Sequence, residues 1–135
     1  MKMVFVDTGF LVGMSNPRDQ WHAQATIAQV KLDDCYFVTT ESVLTEVLTY
    51  FCEFGPRMRF RAPATVDLFL ANPDVEVVPI SHEIFLNGFE FYKQRPDKSY
   101  SLTDCISMNI CREHGITDVL SHDHHFTQEG LTVLM

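Results

Sequence analysis

Four acidic side chains stand at positions where carboxylates can do chemistry. Asp7 and Asp123 each lie just after a short apolar segment, and Asp104 lies in the first turn of a predicted helix. Glu46 falls outside the apolar stripe of another predicted helix. Held close together, carboxylates repel one another, and their pKa values rise unless a cation lies among them. Because Mg²⁺ takes oxygen ligands and is often shared with substrate phosphates, the set predicts metal-dependent hydrolysis of a phosphodiester.

Each of these acids also has a purely structural interpretation. Ser101 and Asp104 match a capping box, in which the acid only satisfies an amide at the start of a helix. Asp7 could close a turn after its strand, and Asp123 could cap the short helix that follows it. Glu46 alone is typical of a solvated surface acid. No single position decides between structure and function.

The elements that must position these acids alternate between strands and helices. Apolar segments bounded by turn residues predict strands, and periodic apolar residues with caps predict helices. The strands are predicted at residues 2–6, 36–39, 75–80, 116–121 and 131–134, and the helices at 16–31, 41–54, 57–70, 81–94, 101–114 and 124–128. This alternation predicts a three-layer α/β/α fold around a parallel sheet of about five short strands. In such a sheet the C-terminal ends of the strands lie at one edge, which is where ligands bind.

Composition limits the class of protein. The hydrophobic fraction of 46% supports a globular chain, which we expect to form one domain over residues 1–135. The four cysteines form no metal or disulfide framework, and no apolar run is long enough for a signal peptide or a membrane span. We therefore expect a cytoplasmic protein without a membrane partner. A formal charge of −8 argues against coating nucleic acid by bulk electrostatics, unless bound cations neutralise clustered carboxylates.

Two further groups of side chains could contact a nucleic acid. Arg57, Arg59 and Arg61 surround an aromatic ring and could contact the RNA backbone, although a solvated helix flank explains them equally well. The histidines at 122, 124 and 125 flank Asp123 and could form a transition-metal site. A more modest role, which we assign to His125, is contact with a substrate phosphate.

Several segments together carry a resemblance to a known family. They are VFVDTGFLVG, NPRDQWH, FVTTESVLTEVLTY, DKSYSLTDCIS and LSHDHHFTQEGL. In this combination, which spans residues 3–134, the chain resembles PIN-domain proteins and, within that group, the ribonuclease toxins of VapC type.

The resemblance implies a parallel sheet ringed by helices, cleavage of single-stranded RNA, and often dimer formation. It also implies an acidic tetrad that binds Mg²⁺ or Mn²⁺, with two supporting hydroxyls. The tetrad is Asp7, Glu46, Asp104 and Asp123, and the hydroxyls are those of Thr8 and Ser101. We expect the three aspartates to hold the metal and Glu46 to orient or deprotonate the attacking water. A toxin would be expected to have a small antitoxin that covers this cleft.

Two alternatives remain open at this stage. A catalytically silent module could use the same cleft to hold RNA or a partner protein. A phosphotransferase with Asp7 as nucleophile would resemble the haloacid-dehalogenase-like enzymes, but their DxDxT motif needs a second acid where this chain has Gly9.

Overall fold

The central element is a sheet of five parallel strands, described by a computed structural model that covers residues 1–135. The strands are β1 (Lys2–Val6), β2 (Cys35–Thr40), β3 (Val75–Val78), β4 (Asp118–Leu120) and β5 (Thr132–Val133). They lie in the order β3-β2-β1-β4-β5, and every neighbouring pair is parallel. This confirms the predicted α/β fold with five short strands.

Six helices cover the sheet. They are α1 (Thr8–Ser15), α2 (His22–Val30), α3 (Glu41–Phe51), α4 (Pro56–Ala71), α5 (His82–Gln94) and α6 (Leu102–His114), followed by a 3₁₀ helix (Thr127–Glu129). The central strand β1 is apolar because helices pack on both faces, and Val4, Phe5 and Val6 are fully buried. None of the helices combines the length and apolar character needed to cross a bilayer.

Local sequence explains where the site-bearing helices begin and end. The Thr40 hydroxyl caps α3 by accepting a hydrogen bond from the Val43 amide. Ser101 caps α6, and Gly115 ends it in the left-handed conformation that glycine adopts without strain. Because both α5 and α6 lie between β3 and β4, α6 can begin at the edge where the strands end.

The predicted helix start at Asn16-Pro17 is wrong. Residues 16–21 form turns, in which the Asn16 carbonyl oxygen accepts from the Asp19 amide, and α2 begins only at His22. The preceding helix α1 was not predicted, because its sequence TGFLVGMS is almost uniformly apolar and carries no helical periodicity. Asp7 therefore lies at the junction of β1 and α1 rather than in a turn between strand and loop. The predicted helix at 57–70 is confirmed as α4, which contains Pro63 within it.

Candidate metal centre

Asp7 lies at the C-terminal end of β1, at the N-terminus of α1, and is 6% exposed. Burial raises the pKa of this carboxyl to about 7, and the neighbouring charges of Asp104 and Glu46 add to the effect. The Ser121 hydroxyl, which donates to Asp7 Oδ2 at 2.8 Å, and the Thr8 amide oppose the increase without cancelling it. Asp7 is thus a buried acid whose charge is not balanced by protein groups.

Asp104 is buried in the first turn of α6 and forms the predicted capping box. Its amide donates to Ser101 Oγ at 3.0 Å, and its Oδ2 accepts from the Ser101 amide at 3.1 Å. The predicted capping box is therefore present. The same Oδ2 also lies 3.1 Å from Nδ1 of His125, so the cap fixes Asp104 in contact with a neighbouring group.

Asp123 and His125 complete a compact group with Asp104. Nδ1 of His125 lies 3.3 Å from Asp123 Oδ1, and that oxygen accepts from the His125 amide at 2.9 Å. One ligand atom from each of Asp104, Asp123 and His125 lies within 4.8 Å of the other two. These three side chains could hold a metal ion together.

Glu46 faces a cleft, not bulk solvent. It is half-buried, and its Oε1 accepts a short hydrogen bond of 2.6 Å from the Thr8 hydroxyl. Glu46 and Thr8 line an open cavity of about 780 Å³ that extends to Thr103, next to Asp104. Thr8 therefore fixes one carboxylate oxygen of Glu46 and leaves the other available in the cavity.

Ser121 is a site residue that sequence analysis missed. Its side chain is fully buried at the end of β4, where its hydroxyl donates to Asp7 and accepts from the Asp123 amide at 2.9 Å. It thus joins two acids separated by more than a hundred residues. The available signal was a hydroxyl residue at the end of an apolar strand, two positions before an acid.

The remaining side chains that the sequence suggested as metal ligands or RNA contacts do not lie among the four acids. His122 stacks on Trp21 with ring centroids 4.2 Å apart, and His124 is exposed, so the three histidines do not form one metal site. Arg57 and Arg61 line a separate cavity, and Arg59 donates to the Cys52 carbonyl oxygen at 3.3 Å. None of these arginines makes an ion pair with the four acids.

Comparison with known proteins decides the family. The family model for the PIN domain matches residues 4–129. The chain belongs to the PIN domain family. No sequence among curated proteins matches it significantly.

Two solved structures share this PIN fold over nearly the whole chain. VapC20 from Mycobacterium tuberculosis, described as a toxin that cleaves the sarcin-ricin loop, has a TM-score of 0.85 at 22% identity, with 96% of each chain covered. VapBC2 from Rickettsia felis, described as bound to a DNA fragment from their promoter, has a TM-score of 0.63 at 13% identity, with 97% of this chain and 96% of that chain covered. At these identities the likeness concerns the fold.

The donor set of this PIN domain fits a divalent cation. Carboxylate oxygens are the ligands that hard cations prefer, and the only basic side chain within ion-pair distance of the four acids is His125. Burial raises the pKa of Asp7, and no basic side chain lies beside it to offset the increase. The chemistry of the cluster therefore agrees with metal binding.

Proposed function

We propose that this PIN domain is an endoribonuclease that depends on Mg²⁺ or Mn²⁺ and hydrolyses phosphodiester bonds of single-stranded RNA. The observation that carries the proposal is the buried Asp7, whose pKa is raised to about 7 by burial and by the nearby charges of Asp104 and Glu46. The Ser121 hydroxyl links Asp7 to Asp123, the fourth acid. The likeness to VapC20, described as a toxin that cleaves the sarcin-ricin loop, supports the same assignment.

Asp7, Asp104 and Asp123 would hold the metal. When bound, a divalent cation lowers the pKa of water and stabilises charge on the phosphate oxygens. Hydrogen bonds within the protein orient these ligands before a metal binds. Ser121 donates to Asp7, and Ser101 holds Asp104 through the capping box. Ser101 would therefore support the site by orienting the Asp104 carboxylate.

Glu46 would orient the attacking water and accept its proton. Thr8 donates to one of its oxygens at 2.6 Å, which holds the carboxylate plane and leaves the second oxygen as an acceptor. The side chain lies at the wall of the open cavity next to the acidic cluster. A carboxylate so placed can take up a proton as the phosphodiester is attacked.

We also propose that the protein is the toxin of a toxin-antitoxin pair and acts in the cytoplasm. The fold is similar to those of VapC20 and VapBC2, and all four cysteines are free thiols, which fits a reducing compartment. A small antitoxin would cover the cleft around Glu46. A short reading frame beside this gene, whose product co-purifies with the chain and blocks cleavage, would establish the pair.

A second copy of the chain is a further proposed partner. Helix α5 leaves Phe85, Leu86, Phe89 and Tyr92 between 41% and 50% exposed. A surface of this kind favours association. Light scattering on the wild type and on Phe89→Glu would test whether a dimer forms through this face.

The decisive experiment is cleavage of total RNA and of a sarcin-ricin loop oligonucleotide by purified protein. We expect cleavage that EDTA abolishes and Mg²⁺ or Mn²⁺ restores. Glu46→Gln, which keeps the shape of the side chain, should bind the metal and fail to cleave. Cleavage that persists in EDTA would reject the metal mechanism, and metal binding without hydrolysis of any RNA would identify a silent binding module.

A further inference from the structure

The basic side chains of this acidic protein are divided into two groups. Half of the ten make ion pairs with carboxylates: Lys2, Lys93, Arg95, Lys98 and Arg112. The other half make none: Arg18, Lys31, Arg57, Arg59 and Arg61. Acids outnumber bases by 18 to 10, so pairing would be easy to achieve. The second group therefore keeps its positive charge available for a ligand.

Three of these unpaired arginines line one cavity. Arg18 comes from the turns before α2, and Arg57 and Arg61 come from the first turns of α4. The cavity has a volume of about 530 Å³, and no Asp or Glu lines it. Helix α4 has no side-chain cap and no acid in its first turn, so the positive end of its dipole adds to the arginine charges. The cavity is suited to an anion.

A line of exposed aromatic rings joins this cavity to the cleft at Glu46. Tyr50 lines the same cavity as Glu46, one helical turn further along α3. Phe54 lines the arginine cavity, and its ring centroid lies 5.0 Å from that of Tyr50. The two rings are 45% and 48% exposed. Glu46, Tyr50 and Phe54 thus follow one another every four residues.

We propose that Arg18, Arg57 and Arg61 form a phosphate-binding subsite for single-stranded RNA, whose bases stack on Tyr50 and Phe54 between this subsite and the cleavage site. The inference rests on the proposed nuclease function. Guanidinium groups bind phosphate oxygens through paired hydrogen bonds, and unpaired bases stack on aromatic side chains. An acidic protein segment would satisfy the arginines but would gain little from the rings, which favours RNA.

The subsite also resolves the conflict between RNA binding and a charge of −8. The net charge of −8 is a sum over the whole chain, whereas three unpaired arginines line one cavity beside the substrate path. Local positive potential, more than the total charge, decides where phosphates bind. The acidic balance then limits non-specific binding elsewhere on the protein.

The test measures binding of a labelled single-stranded RNA of about a dozen nucleotides, in a Glu46→Gln background that does not cleave. Arg57→Gln with Arg61→Gln removes two charges from the cavity. Lys31→Gln with Lys93→Gln removes two charges that do not line it. We expect the cavity variant to bind the RNA about tenfold more weakly. The slope of log affinity against log salt concentration should also be smaller in magnitude by roughly 1.4, because each phosphate contact on a single strand contributes about 0.7. The control variant should bind like the background protein.

Cleavage by otherwise wild-type protein gives an independent measure. The cavity variant should raise KM for this RNA without changing kcat, and should cleave an RNA too short to reach the arginines as well as the wild type does. Equal melting temperatures for both double variants would show that the fold is intact.

Three results would overturn the subsite. They are unchanged RNA affinity in the cavity variant, an equal loss in the control variant, and binding of polyglutamate that depends on Arg57 and Arg61 while RNA binding does not. The last result would assign the cavity to an acidic protein partner. Failure of the wild type to cleave RNA would instead contradict the proposed function, because the binding measurement does not depend on cleavage.

Discussion

Folding buries the carboxylates of both Asp7 and Glu129, but their surroundings shift the two pKa values in opposite directions. Glu129, whose side chain is 8% exposed, is hydrogen-bonded to Arg95, Arg112 and Tyr100. Burial alone would raise its pKa, but these partners hold it below its ordinary value. Asp7 is buried without any cation, and its pKa rises to about 7.

On the proposed function, the difference separates an acid that stabilises the fold from one that binds a metal ion. The charge of Glu129 is balanced inside the molecule, so the protein is complete around it. The charge of Asp7 can be balanced only from outside, which is the situation expected of a metal ligand. Measurements on these two residues test that distinction directly.

The largest effect is expected from Asp7→Asn. The substitution keeps the shape of the side chain and removes the charge, so RNA cleavage should fall by about a thousandfold or more, equivalent to roughly 4 kcal/mol of transition-state stabilisation. Without metal, the melting temperature should be unchanged or higher, because the buried charge is gone. Steady-state cleavage and thermal unfolding measure the two quantities, and a variant that no longer folds would mean that Asp7 serves the fold.

The second-largest expected effect is on the pH dependence of stability, to which Asp7 and Glu129 should contribute with opposite signs. The native pKa of Asp7 lies above its unfolded value, so metal-free native protein binds the extra proton, and stability is lost as pH rises from about 4 to about 7. The total is roughly 4 kcal/mol for a difference of about three pH units. The pKa of Glu129 is lowered, so its contribution is present above its ordinary value of 4.5 and is lost at lower pH.

Urea unfolding of the wild type and of Asp7→Asn in EDTA would measure the Asp7 effect as a difference between two proteins, which cancels the other titrating groups. The gap should widen with rising pH and narrow when Mg²⁺ is added. A gap that does not change with pH would contradict the assignment of a buried, uncompensated charge.

Glu129→Gln should lower the free energy of unfolding by about 2 kcal/mol, because it removes the negative charge and replaces one of the two acceptor oxygens shared by two arginines and the Tyr100 hydroxyl with an NH₂ donor. Both arginines are partly exposed, which keeps the loss moderate. Glu90→Gln breaks an exposed ion pair with Lys93 and serves as the control, with an expected change below about 0.5 kcal/mol. Cleavage should fall less than tenfold in either variant.

The smallest effect is expected from Ser121→Ala. Losing the hydroxyl that joins Asp7 to the Asp123 amide should weaken Mg²⁺ binding about tenfold and lower stability by about 1 kcal/mol. Ser107→Ala is a matched control, since the buried Ser107 hydroxyl has no hydrogen-bond partner. Calorimetric titration with Mg²⁺ distinguishes them, and equal affinities would remove Ser121 from the metal centre.

The sequence predicted a helix and its candidate acid together where cap residues and a periodic apolar stripe occur in the same segment. Residues 41–54 and 101–114 carry caps and apolar stripes, so α3 and α6 could be predicted together with Glu46 and Asp104. Helix α1 could not, because a helix buried on most sides has no polar face to reveal its period. The start of the next helix was placed at Asn16 because Asn16, Pro17 and Asp19 match a helix cap, whereas in the structure they form a turn and α2 begins at His22.

Contacts between distant residues were also beyond reach of local patterns. Nothing near Ser121 indicates its bond to Asp7, and nothing near Glu129 indicates Arg95 or Tyr100. The same applies to Arg18, which becomes meaningful only when α4 places Arg57 and Arg61 beside it. Such groupings are properties of the tertiary structure.

The position of β4 beside β1 has a consequence for the timing of activity. Asp7 is synthesised early, whereas Ser121 follows more than a hundred residues later and reaches it only when β4 docks, together with the neighbouring Asp123. Because a chain is synthesised from its N-terminus, a nascent chain that lacks β4 has no assembled acidic centre. On the proposed function, an unfinished copy would be harmless to the messenger and the ribosome that are producing it.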